Sequence, residues 1–392
     1  MLRAWTERPL AELLATHGLA GVAEAPFPND GWSGASLTRL VRPTDGRAFI
    51  LKRTSWAHDW IARSTRDHAL REGFVASIPM PLPFPLVAPY HGVAADGTSV
   101  AILMPDLSAQ LLGWERPAGA PPTPPETIDR VLEAVARLHA LPWPIAAAPD
   151  ARFVWPSAPL RERLLLLGPR SSALLAADGL AAGHRFQTGW AAFDRHAPTA
   201  ARALVHTLDH DPTPLLQALD ALPRAGLHGD LKLANVGFLD DGRIALIDWQ
   251  LTALAPVAVE LGWLLVSNSA ALPERPEVVL ERYVRALERV AGSPVGPIAP
   301  FDAALTISEV ALQAVVGGDP EPHFRSVAET VGDWNAQLDC AWIVGLLLRG
   351  WRKGLDAEAG ARLASGVDAA DDLAFWCDRA IEAAGRRLGP PA

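Results

Sequence analysis

The chain has 392 residues, 49% hydrophobic and 20% charged, with a formal net charge of −9. That length is too great for one small core and suits two lobes, and the apolar content excludes a disordered chain. The acidic balance, with no basic run, argues against a nucleic-acid surface; it fits a cationic ligand and plain solubility alike.

Met1 to Pro9 has no uninterrupted apolar core after Arg3, so it does not read as a secretory signal. Gly31-Trp32-Ser33-Gly34-Ala35-Ser36 is a small-residue loop whose backbone near Ser33 and Gly34 could approach an anion or serve as an ordinary hairpin turn. A strand over Ser36 to Val41, a turn at Pro43-Thr44-Asp45-Gly46 and a strand over Ala48 to Lys52 follow. Glu72 is the only glutamate between Lys52 and Met104, in a helix expected to open at Ser64 or Thr65. A second hairpin takes Leu86 to Ala94, a turn at Ala95-Asp96-Gly97, and Ser99 to Met104. Pro117 to Pro125 holds five prolines and reads as an extended connector.

From Thr127 the pattern is helical, with Ile128, Val131, Leu132, Val135 and Leu138 at three- and four-residue spacings. Residues 141 to 222 read as a mostly helical insertion. Apolar periodicity resumes at Val278 and continues through Phe301 to Leu312, Trp334 to Leu348 and Leu373 to Ala384. The longest apolar runs, such as Ala341 to Leu348, are far short of a membrane span. Two cysteines, Cys340 and Cys377, sit in helix-like segments and point to buried thiols in a reducing compartment, so a cytoplasmic location is expected.

The richest stretch is His228-Gly229-Asp230-Leu231-Lys232-Leu233-Ala234-Asn235, followed by Ile244-Ala245-Leu246-Ile247-Asp248-Trp249. Asn235 lies five residues after Asp230, and Asp248 eighteen. Phosphoryl transfer calls for that set: a carboxylate for the hydroxyl proton, and an amide oxygen plus a carboxylate for Mg²⁺ on the phosphates. Pro223 to Leu227 leads in, with Gly226 expected to take a tight turn; Asp240-Asp241-Gly242 reads as a hairpin turn, and Ile244 to Ile247 as a buried strand delivering Asp248.

This segment resembles the catalytic loop and metal-binding strand of the kinase-like phosphotransferases, the superfamily of aminoglycoside phosphotransferases and choline kinases, in which His-Gly-Asp replaces the His-Arg-Asp of protein kinases. The resemblance implies an α+β, bilobal protein-kinase-like fold, with a small strand-rich N-terminal lobe and a large, mostly helical C-terminal lobe. Residues 1–104 would be the nucleotide-binding lobe, 105–126 hinge and connector, and 127–392 the lobe with catalytic loop and acceptor site. Asp230 would be the catalytic base, Asn235 and Asp248 the Mg²⁺ ligands, and Lys232 a cation beside the transferred phosphoryl. Lys52 would contact the phosphates of ATP or GTP, paired with Glu72; Ser33 and Gly34 would lie at the phosphates. Met104-Pro105-Asp106-Leu107 resembles the hinge that meets the adenine edge, where Pro105 has no amide to offer, so Met104 and Asp106 are the candidates. Leu138-His139-Ala140 also resembles the family, whose histidine there is structural.

Only eleven residues separate Asp248 from Glu260, too few for a protein-kinase activation segment, and no Ala-Pro-Glu ending occurs. A small-molecule hydroxyl acceptor is therefore expected, with aminoglycosides, amino alcohols and sugars all open. Trp249 and Gln250 shape its pocket or belong to the core. A nucleotide-binding scaffold is the alternative, but it would be expected to have lost one of Lys52, Glu72, Asp230, Asn235 and Asp248. No Gly-x-x-x-x-Gly-Lys-Ser/Thr occurs, which excludes a Walker-type site.

Overall fold

The computed structural model describes residues 8–28, 33–77, 82–113, 121–142, 157–295 and 323–389. Gly31, Trp32 and the helical periodicity expected over Phe301 to Leu312 lie outside these residues, as do parts of the proline-rich connector.

The N-terminal part begins with α1 (Leu10–Thr16) and β1 (Ala25–Pro26). β2 (Ser36–Val41) and β3 (Ala48–Thr54) form the expected hairpin. Then come α2 (Trp60–Ser64), α3 (Arg71–Ser77), β4 (Leu86–Val87), β5 (Gly92–Asp96) and β6 (Ser99–Pro105). The main sheet runs β1-β2-β3-β6-β5 and is antiparallel throughout. Strand alternation sets its two faces. Phe49, Leu51, Ala101 and Leu103 pack with Leu13 and Leu19 on one side, while Ile50, Ile102 and Met104 join the main core on the other. Lys52 shares the face of Ile50, so the period of the strand alone turns its amine inward.

Three local expectations are corrected. Ser64 and Thr65 do not open the Glu72 helix: they close α2, and α3 starts after a break at Arg66 and Leu70, both with positive φ. Asp67 caps α3 instead, accepting from the amide of Arg71 at 2.8 Å. Leu86 to Ala94 is not one strand, because Pro89 has no amide for a ladder. Its first part, β4, leaves the main sheet and pairs in parallel with a strand of the C-terminal part. Gly226 makes no turn; it lies in a short strand, and Gly229 holds the left-handed conformation at φ 84°.

The C-terminal part opens with α4 (Pro125–Ala140), whose Pro125 occupies a first-turn position where a missing amide costs nothing. α5 (Leu160–Leu165), α6 (Pro169–Ala177), α7 (Ala181–His196), α8 (Thr199–His210) and α9 (Thr213–Asp220) precede the catalytic segment. After it come α10 (Val257–Asn268), α11 (Pro276–Val290), α12 (Val327–Val331), α13 (Trp334–Glu358) and α14 (Ala369–Arg387). α13 and α14 extend well beyond the apolar stretches that announced them, and Cys340 and Cys377 are buried within them as free thiols. α10 and α13 cross where Gly262 meets the backbone of Ala341: a Cβ there would lie 2.4 Å from that carbonyl oxygen, so only glycine allows the approach. No helix among the described residues is long and apolar enough to cross a membrane.

Short strands frame the catalytic segment. β7 (Ala225–Leu227) pairs with β10 (Ala253–Ala255), and β8 (Val236–Phe238) with β9 (Ile244–Leu246), around a turn in which Gly242 takes φ 86°. β9 also pairs with β4, so the order is β4-β9-β8.

Candidate active site

Gly229 turns the chain between β7 and Asp230. A side chain at this position would meet the carbonyl oxygen of Leu251 at 1.8 Å, which leaves glycine as the one residue that fits. Its amide and that of His228 donate to the two oxygens of Glu260, at 2.6 and 3.3 Å. Glu260 is fully buried on α10, and its Oε2 lies 2.9 Å from His139 Nε2 of α4, whose Nδ1 lies 2.8 Å from the Tyr283 hydroxyl. Burial alone would raise the Glu260 carboxyl; His139, His228 and the Gly229 amide reverse this and hold it below its ordinary value. His228 is also buried. Its Nε2 donates to the carbonyl of Ile247 (2.9 Å) and its Nδ1 accepts from the amide of Asp230 (3.3 Å), which ties loop to strand. Burial pushes its imidazole down, toward the neutral form this pattern requires.

The loop delivers Asp230 with both oxygens engaged. Oδ2 accepts from Lys232 Nζ (3.0 Å) and Asn235 Nδ2 (3.2 Å); Oδ1 accepts from Trp263 Nε1 (3.0 Å). Asn235 also donates to the backbone oxygen of Asp230 (2.8 Å), so its amide nitrogen is committed and its oxygen is left for another partner. The amide of Leu233 is met by Asn268 Oδ1 at 2.8 Å, a second anchor from α10. The amide of Ile247 donates to the carbonyl of Asn235 at 3.1 Å, which keeps Asn235 beside the end of the strand bearing Asp248.

Asp248 sits in the left-handed region at φ 66° and ψ 58°, a conformation that costs a residue other than glycine about 1–2 kcal/mol. Lys52 Nζ meets its Oδ1 at 2.9 Å and Glu72 Oε2 at 2.5 Å, and the Tyr90 hydroxyl donates to Glu72 Oε1 at 3.0 Å. Burial opposes every charge here. It lowers Lys52, yet Asp248 and Glu72 outweigh it and raise the amine above its usual range. It raises Asp248, yet Lys52 and Lys232 bring that carboxyl down to about 2. Glu72 is raised by burial and by the charge on Asp248, against the pull of Lys52. One ammonium between two carboxylates leaves the cluster short of positive charge.

These groups open on a cleft of about 390 Å³ between the main sheet and the catalytic segment. Ser33, Lys52, Glu72, Met104, Asp106, Lys232, Asn235 and Asp248 all line it. Gly34 does not: it turns at φ 94° against the carbonyl oxygen of His58, which a Cβ would approach to 2.3 Å. Asp106 lines the cleft but is committed elsewhere. Its carboxylate pairs with Arg39 Nε (2.8 Å) and accepts from Ser108, and its amide donates to Ala48 O (3.0 Å), so a hinge donor has to come from beyond it. Asp230 is not among the residues that line the cleft; it meets Lys232 and Asn235, which do, and Trp263 of α10.

Neither Trp249 nor Gln250 lines the cleft. Trp249 is fully buried with Nε1 donating to Leu246 O at 2.7 Å. Gln250 Nε2 donates to Asp59 Oδ2 (2.7 Å), and its carbonyl accepts from Arg71 Nε (2.9 Å), which fastens the turn after Asp248 to α2 and α3. Trp263, Asn268 and Tyr90 were not anticipated from the sequence. Each lies on an ordinary apolar stretch, and nothing local in the chain reports its polar edge.

No group of three or more His, Cys, Asp or Glu side chains among the described residues forms a metal cluster. The Asn235 oxygen and the Asp248 carboxylate are hard oxygen donors beside a cluster short of positive charge. That suits Mg²⁺, which binds through one or two protein oxygens and keeps water and phosphate as its other ligands.

A sequence model described as the phosphotransferase enzyme family matches residues 28–296. No curated protein matches the chain. Among solved structures, a choline kinase from Streptococcus pneumoniae is similar at 10% identity and a TM-score of 0.39, over 92% of this chain and 93% of that one. An aminoglycoside phosphotransferase from Alicyclobacillus acidocaldarius is similar at 15% identity and 0.37, over 99% of each chain. A macrolide 2'-phosphotransferase from Brachybacterium faecium is similar at 15% identity and 0.38, over 98% of this chain and 97% of that one.

Proposed function

The chain belongs to the phosphotransferase enzyme family, and on that premise we propose that it moves the γ-phosphoryl group of ATP, or of GTP, to a hydroxyl of a small molecule. The observation that carries this reading is the convergence of Lys52, from the main sheet, with Asn235 and Asp248, from the catalytic segment, on one cleft, with Asp230 bound to Asn235.

Lys52, held by Glu72, meets the nucleotide phosphates, and Ser33 and Met104 line the wall on which the nucleotide rests. The Asn235 oxygen and Asp248 hold Mg²⁺, which when bound neutralises phosphate charge. Asp230 accepts a hydrogen bond from the acceptor hydroxyl and orients it in line with phosphorus. As the acceptor oxygen forms its bond to the γ-phosphorus, the bond to the leaving oxygen of the nucleotide breaks and the hydroxyl proton passes to Asp230. Lys232, paired with Asp230, adds positive charge where negative charge gathers. Positioning and charge neutralisation supply most of the acceleration in such a reaction, so a weakly basic carboxylate suffices. The nucleotide lobe is residues 1–104, joined through 105–126 to the lobe carrying loop and acceptor site.

Calorimetry of the purified protein with ATP, with and without Mg²⁺, tests this, coupled to a screen of alcohols for acceptor-dependent ADP release. We expect Mg²⁺-dependent binding and turnover with at least one alcohol. Absence of Mg²⁺-dependent nucleotide binding would sink the proposal; binding without any turnover would favour a scaffold.

A further inference from the structure

Tyr90 lies where the chain passes from one sheet to the other. β4 pairs with β9, the strand that leads to Asp248, while β5 belongs to the main sheet, and residues 88–91 join them. The amide of Tyr90 donates to Ala88 O at 2.9 Å and that of His91 to Leu103 O at 2.8 Å, so the linker is tied to both ends. The phenol is 2% exposed and is not among the residues that line the cleft.

Its hydroxyl joins the two sides of the site. It donates to Glu72 Oε1 at 3.0 Å, and the backbone of Trp249, the residue after Asp248, hydrogen-bonds to the same oxygen. Glu72 Oε2 meets Lys52, so the phenol and the ammonium are the two side-chain donors to this carboxylate among the described residues. Burial and the charges on Glu72 and Asp248 push the phenol well above its ordinary value, so it stays a donor.

Lys52 is shared between Glu72 and Asp248, and those two carboxylates repel one another. A buried carboxylate oxygen left without a donor bears a desolvation cost that its remaining partner has to meet. Without the phenol, Glu72 would draw the ammonium from Asp248, or take up a proton and release it; either way Lys52 leaves its place between them. A phenol also donates without adding charge. A cation in its position would serve Glu72 as well but would cancel the negative balance that suits Mg²⁺ beside Asp248.

We propose that Tyr90 is a positioning residue for nucleotide phosphate: acting through Glu72, its hydroxyl keeps Lys52 and Asp248 together on the cleft. The inference rests on the phosphotransferase reading above and adds a residue that touches neither nucleotide nor acceptor.

The test is calorimetry on the full-length protein with Mg²⁺–ATP and, by displacement, with adenosine, which has no phosphate; GTP and guanosine replace them where the protein takes that nucleotide. We expect Tyr90→Phe to weaken Mg²⁺–ATP by about tenfold, the worth of one hydrogen bond to a charged group, and to leave adenosine within about twofold. Glu72→Gln should weaken Mg²⁺–ATP as well, and adding Tyr90→Phe to it should cost little more. Unchanged ATP affinity in Tyr90→Phe, equal losses for ATP and adenosine, or losses that add in the double variant would each overturn the inference; equal losses are what a purely structural role would give. Should Tyr90→Phe fail to fold, the natural sequence carries the test. Its two tyrosines, Tyr90 and Tyr283, give two resonances when replaced by 3-fluorotyrosine, told apart with Tyr283→Phe. The Tyr90 resonance should move with Mg²⁺–ATP and not with adenosine, and indifference to Mg²⁺–ATP would overturn the inference. Wild-type protein that binds neither Mg²⁺–ATP nor Mg²⁺–GTP defeats the phosphotransferase reading, whereas wild-type binding with an unaffected Tyr90→Phe defeats only this one.

Discussion

Asp230 and Asp248 lie eighteen residues apart and do different work, which single substitutions should separate. Asp248→Ala removes a cation ligand and a partner of Lys52, so it should weaken Mg²⁺–nucleotide binding and turnover together. Asp230→Asn removes the carboxylate charge that the acceptor hydroxyl and Lys232 meet, while Asn235 keeps its anchor on the Asp230 backbone oxygen; it should cost two or more orders of magnitude, roughly, in kcat while leaving nucleotide affinity nearly intact. Equal loss of nucleotide affinity in both variants would refute the division. Asp248 also gives an acid limb to stability. Its carboxyl, about 2 when folded, lies below the unfolded value of about 3.9, so its contribution is complete above the latter and is lost as pH falls through the former. The stability gap between wild type and Asp248→Asn should therefore close as pH drops from about 4 to about 2, read by denaturant titration. A gap independent of pH would remove the Lys52–Asp248 pair as its source. Lys232, Asn235 and Asp248 were named from local motif spacing, and Lys52 and Glu72 from their places on a strand and a helix; all five line one cleft. Trp263 was not legible, because a tryptophan in an apolar helix reads as core until the fold sets its Nε1 on Asp230.

At the scale of elements, the catalytic loop is shaped less by its own turn than by the two helices that grip it. α10 supplies Glu260 and Asn268, and α4 supplies His139 to steady Glu260. Glu260→Gln cannot accept from both loop amides and also satisfy His139. Leaving one buried donor unmet costs about 1–3 kcal/mol, so the variant should melt lower and turn over more slowly, with Mg²⁺–nucleotide affinity largely kept. Thermal melts and steady-state kinetics on one preparation would show it; unchanged melting and kcat would make the brace ornamental. Strands were easier to foresee than their partners. The β2–β3 hairpin follows from alternation and a turn, whereas the departure of β4 to pair with β9 depends on residues 158 positions away, counted from Leu86 to its partner Ile244. The helix bearing Glu72 was foreseen, but its start was not, since a cap from Asp67 across the bend at Leu70 leaves no simple pattern.

For the whole molecule, the short segment after Asp248 sets the mode of control. Thr252, its only hydroxyl, is fully buried and donates to Leu227 O at 2.8 Å. A phosphate there would have to displace β7 and β10, so the protein should be active as made. Incubation with labelled ATP should leave Thr252 unlabelled, and rapid stoichiometric labelling with rising activity would restore the protein-kinase alternative. The bridge from α3 through Arg71 and Gln250, together with the parallel pairing of β4 and β9, links the two parts of the molecule independently of the hinge. Such cross-links fix the relation of Glu72 to Asp248 when the chain folds, not when a ligand arrives. The receptor is thus preorganised: little conformational entropy remains to be lost as a nucleotide enters. A ligand that requires the Glu72 helix swung outward has to break these contacts, and its affinity falls by what they contribute.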